Sequence, residues 1–165
     1  MIAILGIPLV VLLVIIQTTV VSRLNISYGM MDIVLVSLIA VGIHPRSKHI
    51  IYWFLLAGFL LAIISPIRLM YPLVPYALTG FLVEYLRKRI WRIPLILMAI
   101  LTFLGSLISQ FTAYLTIYFT QTALPLMDSI LQVSLPSITL NILIGLPIYL
   151  VIKDWGDTLS PQEVE

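Results

Sequence analysis

Cysteine is absent from this 165-residue sequence, histidine occurs twice, and charged residues make up only 10% of it. No disulfide, thiolate metal site or cysteine nucleophile is therefore available. Ordinary soluble domains carry about 25% charged and about 45–50% apolar residues. Here 61% are hydrophobic. That balance excludes a soluble globular domain, a disordered chain, a disulfide-stapled secreted module and a nucleic-acid binder. The composition predicts an all-α, polytopic integral membrane protein. A helical span needs about 20 apolar residues, so a chain of this length holds about six and leaves no room for a soluble catalytic domain.

The apolar runs predict spans over about 2–21, 28–44, 50–64, 69–86, 93–120 and 136–152. They form a single bundle over 1–153, with a polar tail over 154–165. The first run lacks a basic flank and a small-residue cleavage site, and reads as a retained span. Asp32 opens the second, which is short. The polar turn His44-Pro45-Arg46-Ser47-Lys48-His49 ends it. The fifth is overlong: about 28 residues reach about 42 Å, against a hydrocarbon core of about 30 Å. Leu126 to Leu135 is amphipathic and reads as a short interfacial helix.

Loop charge sets orientation. With six spans, Arg46, Lys48, Arg87, Lys88, Arg89, Arg92 and Lys153 fall on one side, and only Arg23 and Arg68 on the other. Lys and Arg collect on the cytoplasmic side, so both termini are expected inside. The basic turn Arg87, Lys88, Arg89 and Arg92 reads first as a topology determinant lying on anionic headgroups. Docking of a cytoplasmic partner is the alternative. Glu84 stands three and four residues before Arg87 and Lys88, the spacing of helical ion pairs.

Buried ionisable groups mark pumps, relays and intramembrane enzymes. Here the charged residues all fall at or near predicted span ends, and both histidines share one turn. No catalytic, cofactor-binding or metal-binding residues are assigned, and the chain is not expected to be an enzyme. What the spans carry is small and weakly polar residues at helical spacing: Gly58 and Ala62; Gly105, Ser109 and Ala113; Ser137, Asn141 and Gly145. Such stripes let helix backbones approach closely. They either pack the protein on itself or meet a partner helix. Gln17 and Gln110, the most polar groups at depth, read as interhelical hydrogen bonders.

Three short motifs point to a family. Gln17-Thr18-Thr19, then Arg23-Leu24, then Asp32-Ile33 resembles the start of the bacterial rod shape-determining protein MreD family. Gly58-Phe59, Ser65-Pro66, Gly80-Phe81 and Arg87-Lys88-Arg89 are similar to its central segment. Pro136-Ser137 with Asn141 resembles the opening of its last span. Met31 departs from a family proline, and Ala62 from a family carboxylate.

The resemblance implies a non-enzymatic scaffold of the cell-elongation machinery in the bacterial inner membrane. Its implied partners are MreC, whose single span leads to an extracytoplasmic coiled coil, the MreB filament system, the RodA glycosyltransferase and a class B penicillin-binding protein. The implied fold is similar to that of substrate-binding subunits of energy-coupling-factor vitamin transporters. That similarity defines a second reading, because one fold hosts unrelated functions. In it, Gln17, Asn25, Arg68, Tyr76 and Gln110 would line an outward-opening pocket. Those subunits dock through Ala-x-x-x-Ala on the first span, whereas this chain offers Ala3 and Gly6.

Overall fold

A computed structural model describes residues 2–21, 29–44, 47, 49–64, 70–89, 93–120 and 125–158. Arg23, Asn25, Arg46, Lys48, Ser65, Pro66, Arg68 and Arg92, with the end of the tail from 159, lie outside the described residues. The described secondary structure is helical. It comprises α1 (Ile2–Thr19), α2 (Ile33–Ile43), α3 (Ile50–Ile64), α4 (Met70–Arg87), α5 (Pro94–Thr120), the short α6 (Leu126–Ser129), a π-helical turn (Ile130–Ser134) and α7 (Leu135–Thr158). Two stretches, Pro94–Phe119 and Met127–Asp154, are long and apolar enough to cross a membrane. Gly6–Thr19, Ile33–Ile43 and Ile50–Ile64 are apolar but shorter.

α2 is the central element. It touches α1, α3, α4, α5 and α7, and these pack in the succession α1–α3–α4–α5–α7 along an arc around it. Nine of its residues are buried, Val34 to Ala40 with Gly42 and Ile43. An apolar sequence without an amphipathic stripe suits a helix enclosed on all sides. The outer helices need small residues to come close. Gly80 lies where an added Cβ would meet Phe54 Cβ at 2.9 Å, and Gly42 where it would meet Val83 Cγ1 at 2.7 Å.

The outside of the bundle is apolar. Phe59, Phe81, Phe111 and Leu143 are each more than half exposed, while Thr79, Ser106, Ser137 and Asn141 are buried. Soluble proteins distribute these residue types the other way.

Three sequence expectations change. Span two is expected over 28–44, and among its described residues the helix covers Ile33–Ile43. Asp32 stops it, because its carboxylate accepts the Leu35 N–H at 2.9 Å as an N-cap. The segment from Leu126 to Leu135 is not a separate helix. It runs through the π turn into α7, so the last helix begins well before 136. Pro136 would clash with the carbonyl four residues back in a regular helix. The wider turn, with Leu135 N–H reaching Ile130 O, accommodates it. Finally, α7 continues through Thr158, past the expected start of the tail at 154. Extending a formed helix is far easier than nucleating one, and no proline intervenes before Pro161.

Candidate functional site

α2 starts in the middle of the protein, and its exposed backbone groups must find partners there. The first N–H groups of any helix have none within it, and unpaired buried N–H groups are rare. Side chains from neighbouring helices supply them. From α1, Gln17 Nε2 donates to Met31 O at 2.7 Å, and Gln17 Oε1 accepts from Ile33 N–H at 2.9 Å. From α7, Ser137 Oγ accepts from Met30 N–H at 2.9 Å, and Asn141 Oδ1 from Asp32 N–H at 2.8 Å. Asn141 Nδ2 then donates to Ser106 Oγ on α5 at 2.9 Å. From α4, the Tyr76 hydroxyl donates to Asp32 Oδ1 at 2.6 Å.

The result is one polar node that ties α1, α2, α4, α5 and α7. Tyr76 is seated by Phe54, whose ring lies 6.4 Å away and tilted, and by Gly58, where an added Cβ would lie 3.0 Å from Tyr76 Cβ. Gly29 leads into the node against α7, and an added Cβ would meet Pro136 Cβ at 2.9 Å.

The node sits at half-height. Ser106 lies twelve residues after Pro94 and thirteen before Phe119. Asn141 lies fourteen after Met127 and thirteen before Asp154. The expectation that charged residues keep to the span ends is therefore corrected for Asp32. It opens α2, but α2 is only about 17 Å long, so its start falls deep in the bundle. The amides of a helix N-terminus favour a carboxylate there.

The other expected residues divide by location. Gly58 packs on the α4 backbone, with Leu73 Cα and Pro72 O each 3.3 Å from an added Cβ. Gly105 faces Thr79 and Ile39, and Gly145 faces Met98 and Val36. Ala62 is buried, whereas Ser109 and Ala113 are half-buried. Gln110 is half-buried one turn beyond Ser106 and takes no part in the node's hydrogen bonds. Of the basic turn, Arg87 Nη1 donates to Ser47 O at 2.7 Å, while Nη2 pairs with Glu84 at 2.8 Å. Lys88 pairs with the other Glu84 oxygen at 2.9 Å, and Arg89 lies over the Tyr85 ring.

Residue type had singled out Gln17, Asp32 and Asn141; their convergence was not visible in the sequence. Nor does the sequence mark Tyr76 as the partner of Asp32, or Ser106 as that of Asn141. Among the described residues, no group of three or more His, Cys, Asp or Glu is placed to hold a metal ion. The hydrogen bonds named here join helices to one another. Replacing Gln17 with leucine keeps the bulk but strands Met31 O and Ile33 N–H. The expected cost is about 1–3 kcal/mol, readable as a lower unfolding midpoint in a mild-detergent titration.

Compared with models of known families, with curated proteins and with solved structures, the chain matches none.

Proposed function

We propose that this chain is a six-span scaffold of the bacterial inner membrane. Both of its ends are cytoplasmic, and it serves the cell-elongation machinery by holding an MreC-like single-span partner. One observation carries the reading. Gln17 and Asp32-Ile33 come from the first of the three motifs that carry the family resemblance, Ser137 and Asn141 from the last, and they meet in one node. A shared node explains why such scattered residues belong together. Its polar groups join the chain's own helices. Polar residues inside and apolar residues outside support a lipid-embedded bundle.

The absence of native cysteine makes the topology testable. Single cysteines introduced by Ser27→Cys and Ser160→Cys report the two faces. An impermeant maleimide added to intact cells is expected to label the first and spare the second. Labelling of the second from outside would overturn the topology. The scaffold itself predicts co-purification with a single-span, coiled-coil protein from native membranes. A stable chain that never brings one down would defeat it.

One observation favours the transporter-subunit reading. Gln17 and Tyr76, both expected to line a pocket, stand on the same node beside a deep carboxylate. A small molecule retained through native purification and lost in Asp32→Asn would move the assignment to that reading.

A further inference from the structure

The outward face of α4 is apolar up to its last turn. Val74, Leu78, Phe81 and Tyr85 are all exposed. Their spacing of three and four residues puts them on one helical stripe. From Val74 to Tyr85 the stripe runs about 17 Å, close to one leaflet, half of a hydrocarbon core of about 30 Å. The turn that follows α4 carries Lys88 and Arg89, both exposed, with Arg89 over the Tyr85 ring.

The three basic residues here differ in what they are free to do. Arg87 is only 18% exposed, and its guanidinium is spent on Ser47 O and Glu84. It clamps the turn after α2 onto α4, and it offsets the charge of Glu84. Lys88 touches the same carboxylate but is 68% exposed. The Arg89 guanidinium lies 5.2 Å from the Tyr85 ring centroid, where the apolar stripe meets the charged turn. A cation held over an aromatic ring at that junction stands where a lipid phosphate would sit.

The geometry points to a binding site for an anionic phospholipid of the cytoplasmic leaflet. One acyl chain lies along Val74, Leu78, Phe81 and Tyr85, and the phosphate sits between Lys88 and Arg89. The site rests on the membrane reading above. An acidic protein segment would meet the same two cations, but it would leave the contiguous apolar stripe unused.

The full chain in nanodiscs of mixed phosphatidylglycerol and phosphatidylcholine tests it, with bound lipid counted by native mass spectrometry. Phosphatidylglycerol is expected to be preferred. The double variant Lys88→Gln with Arg89→Gln is expected to lose that preference by roughly fivefold per charge, with an unchanged melting temperature. Lys153→Gln, which removes an exposed cation on α7, is expected to leave the preference intact. The site is overturned if no preference exists. It is also overturned if Lys153→Gln costs as much as the double variant, which would indicate diffuse surface charge. A double variant that keeps its lipids but loses a protein partner overturns it too. A chain that never enters a bilayer sinks the membrane reading as well; one that enters without preference sinks only the lipid site.

Discussion

Asp32→Ala is expected to destabilise the folded bundle by about 3 kcal/mol, the sum of a lost helix N-cap and a stranded buried hydroxyl. The cap is the Leu35 N–H bond, and the hydroxyl is that of Tyr76. Asp32→Asn keeps an oxygen at the same place. Asparagine caps helices about as well as aspartate, so the expected cost is below about 1 kcal/mol. Titration with a denaturing detergent, following helicity, measures both. The ordering matters more than the size. Near-equal losses would mean that the negative charge does something a neutral oxygen cannot, and the node would then be more than a fastening.

The second large effect is expected at Gly58. An alanine there already places its Cβ 3.0 Å from Tyr76 Cβ and 3.3 Å from Leu73 Cα and Pro72 O. Backbone atoms of α4 cannot step aside as a flexible side chain would. Gly58→Leu must therefore push α3 and α4 apart, with an expected loss of at least about 3 kcal/mol, at the upper end of overpacking costs. The displacement also draws Tyr76 away from Asp32, so the two sites are coupled. In a double-mutant cycle, Gly58→Leu combined with Tyr76→Phe is expected to cost less than the two changes added. Strict additivity would show that Gly58 acts only through helix spacing.

Much of this architecture can be read from residue types. Apolar runs mark the helices, because hydropathy reports which segments leave water. The same runs do not report where a backbone turns helical. Nothing between Met30 and Ile43 except Asp32 shows that α2 starts at Ile33. Pro136 reads as a boundary, yet a π turn carries the helix past it, and no residue type encodes that turn. Gln17 and Asn141 stand out because polar groups within apolar runs need partners. Which partner each finds depends on how the helices are rotated about their axes. A tyrosine and a serine, common in such helices, gave no sign that Tyr76 would reach Asp32 or that Ser106 would reach Asn141. The close approaches of Gly58, Gly105 and Gly145 belong to contacts within the bundle.

The half-length of α2 bears on biosynthesis. Its opening amides emerge from the ribosome early, yet the side chain that receives the Asp32 N–H lies 109 positions downstream. Chains are made from the N-terminus onward. Until Asn141 arrives, the nascent protein holds an unfinished fold whose innermost helix lacks its last latch. Every nascent chain therefore passes through an interval in which it can be recognised as incomplete. A ribosome stalled before that asparagine would leave a bundle that quality-control proteases can distinguish from the finished one.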